Sequence, residues 1–267
     1  VQFRTSTPEK TRVVTVALDY SGTSHNKLPG MVQDATDMEN ILRAYSTNIT
    51  KLTNSAATVS AVKNAVTAAV DDTNCDLLIF HFSGHGSGGT NGKSSMVLYD
   101  KNLADSAFWK LIEHARCRVL CIFACCHAGT MFKAGASDDG EDSVPHFQET
   151  TDFGKSALEY FNGNESAGIC AASDTPNLLV WSACTDGEVS WMYSTSEVQN
   201  RTDGITRTGH SMINHIVNGF DADKTYKEIW NLVPSEEKYT NADGSDYIYK
   251  GKPVYVHPQL SELGQSF

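Results

Sequence analysis

The chain has 267 residues, which is room for one large domain or two small ones. Hydrophobic residues make up 40% and charged residues 20%, with 7 Pro, values that exclude a wholly disordered chain and a collagen-like fibre. Asp and Glu outnumber Lys and Arg by 32 to 21, a net charge of −11; with no Lys/Arg cluster such a chain repels phosphate backbones, so nucleic acid is not an expected partner and a cationic substrate suits it better.

Val1 to Arg12 is polar and has no apolar signal core. Arg12 to Tyr20 reads as a buried Val-rich strand that stops at Ser21-Gly22. Past Pro29-Gly30, apolar residues from Met31 to Tyr45 recur at helical spacing. Asn48 to Leu52 predicts a short strand and Ala57 to Val70 a helix with Val59, Val62, Val66 and Val70 on one stripe. Cys75 to Phe82 is a continuous apolar run, the mark of a strand buried on both faces. A Gly/Ser loop, Ser83 to Ser95, leads to a short strand at Met96 to Tyr99 and a helix at Ala104 to His114. Arg118 to Cys126 predicts another buried strand, and Gly168 to Ala172 and Leu178 to Ala183 shorter ones. Helices are expected at His210 to Asn218 and Tyr226 to Leu232, and a last edge strand at Pro253 to His257.

Strands alternating with helices imply an α/β fold around a mainly parallel sheet. No apolar run approaches the ~18 residues of a membrane-spanning helix, so a membrane is not an expected partner. The 7 Cys are an odd number, lie mostly in or beside apolar runs and form no C-x-x-C pair. That pattern predicts free thiols in a reducing compartment, hence a cytoplasmic protein. Cys121, Cys125, Cys126 and His127 lie along one strand-like run without a second ligand pair, so no zinc site is expected. Residues 129–163 form a long polar, acidic segment that includes Asp138, Asp139, Glu141 and Asp142. Segments of that kind are solvated loops, hard-cation sites or regulatory loops beside a site.

Two strand ends carry the chemistry. The first is Phe82-Ser83-Gly84-His85-Gly86. Ligand sites in parallel sheets lie beyond the carboxyl ends of strands, glycines let backbone approach a ligand, and histidine titrates near neutral pH. The second is Phe123-Ala124-Cys125-Cys126-His127-Ala128-Gly129, where a thiol is either packed in the core or partly exposed and open to activation. The two ends lie about forty residues apart, the length of one strand–helix–strand crossover. His and Cys then project from one rim, the arrangement of nucleophilic catalysis. Binding of a phosphorylated ligand at Gly84 to Gly89 is disfavoured, because no P-loop spacing accompanies those glycines.

The pair S-G-H-G (Ser83 to Gly86) and C-C-H-A-G (Cys125 to Gly129) resembles the caspase-like cysteine peptidases, closest to metacaspases. Leu28 to Leu42 is similar to the family's L-x-G-C-x-x-D-A segment, and Leu178 to Cys184 to its S-x-C-x-D region; the resemblance runs from about Val13 to Asn218. It implies a caspase-like three-layer α/β/α sandwich, here a single peptidase domain over 1–267 with an extension after about 218. It also implies a cysteine endopeptidase with His85 as general base, Cys126 as nucleophile and an oxyanion hole from the N–H groups of Gly86 and Cys126. Gly86 is expected because a side chain there would crowd the scissile carbonyl.

Metacaspases cut after Arg or Lys in an acidic pocket. Its matching positions are Asp34, Ser83 and Ala124, the last standing where the family has Asp; Asp186 and Glu188 are candidates to supply the missing acid. The family's calcium stretch corresponds to Ser87 to Asp100, whose only carboxylate is Asp100, so no metal or other cofactor is expected. The loop after the nucleophile is a site of activating cleavage in such enzymes, with Lys133 and Lys155 as candidate points. A protein or peptide substrate and a monomeric state are expected. The alternative is a catalytically silent caspase-like scaffold or regulatory module.

Overall fold

The computed structural model describes residues 6–88, 94–126, 177–185, 188, 190, 192–193, 209–238, 245–249 and 251–263. The predicted strand at Gly168 to Ala172, the acidic segment 129–163, His127 and Asp186 lie outside the described residues.

The first half of the chain runs β1 (Thr11–Ala17), α1 (Met31–Leu42), β2 (Asn48–Thr53), α2 (Val59–Val70) and β3 (Leu77–Ser83). There follow β4 (Gly86–Gly88), β5 (Ser94–Val97), β6 (Asn102–Ala104), α3 (Asp105–Ile112) and β7 (Arg118–Ala124). Beyond these lie β8 (Leu178–Ser182), β9 (Met192–Tyr193), β10 (Gly209–His210), α4 (Ser211–Gly219) and α5 (Tyr226–Trp230). Short strands β11 (Glu237–Lys238), β12 (Ile248–Tyr249), β13 (Lys252–Pro253) and β14 (Tyr255–Val256) lead to β15 (Gln259–Leu263).

The central sheet has the order β15-β8-β7-β3-β1-β2. Strands β2, β1, β3, β7 and β8 are parallel, and β15 joins β8 antiparallel. Crossovers run from β1 outward to β2, then back across to β3, so the chain reverses direction in the sheet between β1 and β3. Such a switch point opens a crevice at the carboxyl ends of its strands.

Alternate residues of each strand enter opposite layers. On one face Val16, Phe80, Cys121 and Phe123 pack with Val62 and Val66 of α2 and Phe108 of α3. On the other, Val13, Ile79, Ile122 and Trp181 pack with Met38 of α1, Ile213 and Ile216 of α4 and Ile229 of α5. Burial on both faces explains why β3 and β7 read as unbroken apolar runs. The result is a three-layer α/β/α arrangement.

Two elements differ from the sequence reading. The stretch read as a Gly/Ser loop contains β4, and the strand near Met96 spans Ser94–Val97 in a small side sheet, β4-β5-β6. The central sheet's last edge strand is Gln259–Leu263, not Pro253–His257; Tyr255 and Val256 pair with Lys238 and Glu237 instead. The Val/Tyr-rich stretch carries the stronger β pattern, but the polar stretch after Pro258 is the one placed beside β8.

Candidate active site

β3 and β7 are neighbours in parallel register, with Ser83 opposite Ala124 and the Gly84 N–H donating to the Ala124 carbonyl at 3.3 Å. The two motifs therefore leave the sheet from the same rung. Beyond it, Gly86 stands against the Cys126 main chain. A Cβ on residue 86 would lie 1.8 Å from the Cys126 carbonyl oxygen and 3.2 Å from the Cys125 sulfur. The glycine is thus required by the neighbouring strand end itself, where the sequence reading expects crowding of a substrate carbonyl.

The side-chain alternation continues past β7. Cys125 is packed in the layer with α2 and α3, and burial pushes its thiol far up, with Cys184 and Cys126 adding to the shift. Cys126 is half-buried, and among the described cysteines it alone is not fully buried. Its Sγ–H donates to the Ser190 carbonyl at 3.8 Å. Burial raises the Cys126 thiol above its ordinary value, and main-chain groups of Ser190, Cys126 and Gly86 facing the sulfur pull it the other way.

His85 is fixed by the loop between β1 and α1. Its Nε2 lies 2.7 Å from the Asn26 carbonyl. A carbonyl oxygen only accepts, so Nε2 carries the proton and Nδ1 is the basic atom of the neutral ring. Burial lowers the His85 pKa; the Asn26 carbonyl opposes that shift, and His25 reinforces it. The neutral imidazole is thereby favoured. Tyr20 packs its ring against His85, with centroids 4.5 Å apart, and its hydroxyl accepts the His85 N–H at 2.7 Å. Tyr20 sits at φ 61, a left-handed conformation that costs a non-glycine residue roughly 1 kcal/mol. The Thr23 N–H and hydroxyl hold its carbonyl at 3.2 and 3.0 Å.

Below the rim lies a buried polar column. Asp34, in the first turn of α1, is fully buried, and both its oxygens accept the His210 N–H, at 3.1 and 2.9 Å. Gly209, at φ 137, allows this approach: a Cβ there would lie 2.1 Å from Asp34 Oδ1. The His210 Nδ1 accepts the Met212 N–H at 3.2 Å, so Nε2 bears the proton toward the Ser190 hydroxyl. Ser83 is buried and its hydroxyl lies 2.9 Å from His81 Nε2, while Thr15 Oγ1 lies 2.7 Å from His81 Nδ1. Burial depresses His81 to about 3, with His210 contributing, and burial depresses His210 to about 4 against the pull of Glu237. Ala124 is buried in the apolar layer with Ile122 and Trp181.

Glu188 is engaged elsewhere. It accepts the N–H groups of Thr185 and His257, both at 3.0 Å, and holds the His257 ring at 2.5 Å. Asp100, the carboxylate of the calcium-like stretch, accepts the Val59 N–H at 2.8 Å and so starts α2. Among the described residues no group of three or more His, Cys, Asp or Glu side chains is arranged to hold a metal ion, and no helix is long and apolar enough to cross a membrane.

Tyr20, Asn26, His81, Ser190 and His210 did not emerge from the sequence reading. Two carried a signal: His81 interrupts an apolar run, and Tyr20 ends a strand at a turn. Asn26 and Ser190 act through their carbonyls, which no side-chain pattern marks.

The caspase domain model matches residues 13–236. Among solved structures, the chain is similar to protein GSU0716 from Geobacter sulfurreducens, with 17% identity, a TM-score of 0.59, and coverage of 97% of this chain and 95% of that one. At that identity the likeness bears on fold alone. No curated protein matches the chain. The family match embraces both strand-end motifs and, from Val13 on, the five parallel strands of the sheet that carries them, and this chain belongs to the caspase domain family of cysteine peptidases.

Proposed function

We propose that the chain is a cysteine endopeptidase, closest to metacaspases, that hydrolyses peptide bonds with Cys126 as nucleophile and His85 as general base. The observation that carries this reading is the contact of Gly86 with the Cys126 main chain, which brings the His-bearing and Cys-bearing strand ends to one rim. The Cys126 thiol gives its proton to His85 Nδ1, and the sulfur attacks the scissile carbonyl carbon. The negative oxygen that develops is received by the N–H groups of Gly86 and Cys126, worth roughly 3 kcal/mol per well-placed donor. The His85 imidazolium then protonates the leaving amine. Water, deprotonated by His85, releases the acyl group from sulfur and restores the thiol.

A basic P1 residue, Arg or Lys, is the preferred substrate class, with Asp34, Ser83, Ala124 and Asp186 as the pocket positions. The net charge of −11 supports it. The commitment of Asp100 to α2 supports activity without calcium. We place the enzyme in the cytoplasm as a monomer acting on protein chains, with activation by cleavage of the 129–163 segment at Lys133 or Lys155. A silent scaffold is the second reading, favoured only by Ala124 in place of the family's acid.

The test uses fluorogenic peptides ending in Arg, Lys, Asp or Asn, with calcium or with chelator. Cleavage after Arg or Lys by wild type, lost in Cys126→Ala and unchanged by chelator, is the expected result. No cleavage of any peptide by the intact or the processed chain overturns the peptidase reading.

A further inference from the structure

We infer that Tyr20 is a positioning residue of the proposed reaction, its hydroxyl inserted between the His85 N–H and the Val97 carbonyl so as to set where the His85–Gly86 peptide stands. The inference rests on the peptidase reading above. Gly86 pairs with Met96 across the antiparallel β4–β5 ladder, so His85 and Val97 are the next pair. The Val97 N–H donates directly to the His85 carbonyl at 3.0 Å. The return bond is not direct. The His85 N–H donates to the Tyr20 hydroxyl at 2.7 Å, and that hydroxyl donates to the Val97 carbonyl at 2.7 Å.

The bridge is built from several sides. A Cβ on residue 84 would lie 2.7 Å from the Tyr20 hydroxyl, so Gly84 is the residue that admits it. Tyr20 is fully buried and left-handed, and the same loop offers the Asn26 carbonyl to the His85 ring. One loop thus fixes both the main chain and the imidazole of His85. Burial holds the phenol far above its ordinary value, so Tyr20 stays neutral and its role is geometric. A hydroxyl bridge spans two hydrogen-bond lengths where a direct bond spans one of about 2.9 Å. Removing the oxygen lets the pair close and draws residue 85 toward β5, which displaces the His85–Gly86 peptide. A displacement of about 1 Å costs on the order of a hundredfold in rate.

The test compares wild type with Tyr20→Phe, which keeps the ring and removes only the hydroxyl. A kcat lower by about tenfold to a hundredfold with KM changed less than about threefold is expected. The His85 imidazole titration, followed by NMR in a Cys126→Ala background, is expected to shift. A lower melting temperature with unchanged kcat and unchanged titration overturns the inference, since a purely structural tyrosine would behave that way. If wild type cleaves no peptide, the peptidase reading falls by itself; the NMR titration then still decides whether Tyr20 positions His85, a shift supporting it and none overturning it. If Tyr20→Phe does not fold, Gly84→Ala crowds the same hydroxyl, with a Cβ 2.7 Å from it and 2.9 Å from the Phe82 ring. Loss of kcat with a shifted His85 titration in that variant supports the bridge, and an unchanged titration overturns it.

Discussion

Residue 86 and residue 126 meet through their main chains, and the space between them admits no Cβ: one would lie 1.8 Å from the Cys126 carbonyl oxygen. The contact fixes the relative position of the two N–H groups proposed to receive the oxyanion. Gly86→Ala is expected to force the strand ends apart and lower kcat by roughly a hundredfold or more. Peptide hydrolysis, with circular dichroism to show that the sheet persists, measures this. A Gly86→Ala protein with wild-type turnover would mean that the two donors do not act together.

Cys125 and Cys126 are neighbours in sequence with different surroundings. Cys125 lies in the core layer with α2 and α3, whereas Cys126 is half-buried beside the Ser190 carbonyl. Cys126→Ser is expected to abolish hydrolysis with little change in stability. Cys125→Ser places a hydroxyl in an apolar layer and is expected to cost about 1–3 kcal/mol of unfolding free energy while keeping turnover within a few-fold. Urea unfolding and peptide hydrolysis on both variants check this, and the opposite pattern would reassign the nucleophile.

Burial shifts the two groups proposed to react apart, with His85 below and Cys126 above their ordinary values. A neutral thiol and a neutral imidazole, not an ion pair, are therefore the expected resting state. The rise of kcat/KM on the acid side is expected to have its midpoint below about 6.5, the unperturbed histidine value. Alkylation of Cys126 by iodoacetamide is expected to be still increasing at about pH 9. A rate already level from pH 6 upward would show a thiolate–imidazolium pair instead.

His81 and His210 make folding sensitive to acid. Held at about 3 and about 4 in the folded protein, both stay neutral there, while in the unfolded chain they titrate near 6.5. As pH falls through that value the unfolded chain takes up protons that the folded protein does not, and stability falls. Between pH 6.5 and 5 the two together lose about 3 kcal/mol. His257 lies under opposing influences: burial would lower it, but Glu188 and Glu236 hold it above its ordinary range. Its contribution grows as pH falls and levels off below the unfolded value, so it offsets only part of that loss. Urea unfolding at pH 7, 6 and 5 measures the slope, and His81→Asn is expected to halve it.

The alternation of strands and helices was legible because burial of a strand or one helix face imprints a local period on the chain. Both faces of β3 and β7 are covered, and their runs are correspondingly apolar from end to end. The edge strand β15 was not legible. Its residues alternate weakly, and it is a strand only because β8 offers it an open edge. Asp34 and Ser83 were singled out through motif resemblance. Their actual partners, the His210 N–H and His81, were not, since Asp34 and His210 lie far apart along the chain.

The sequence by itself determined which residue types stand at the tips of two buried strands, because apolar runs, glycine breaks and the chemistry of His and Cys are written locally. Only the tertiary structure decided that β3 and β7 are neighbours in a register placing Ser83 beside Ala124, and that Asn26, Tyr20 and Ser190 close around His85 and Cys126. Those relations depend on strand order and on carbonyls and N–H groups common to every residue, so their positions become known only when the layers pack.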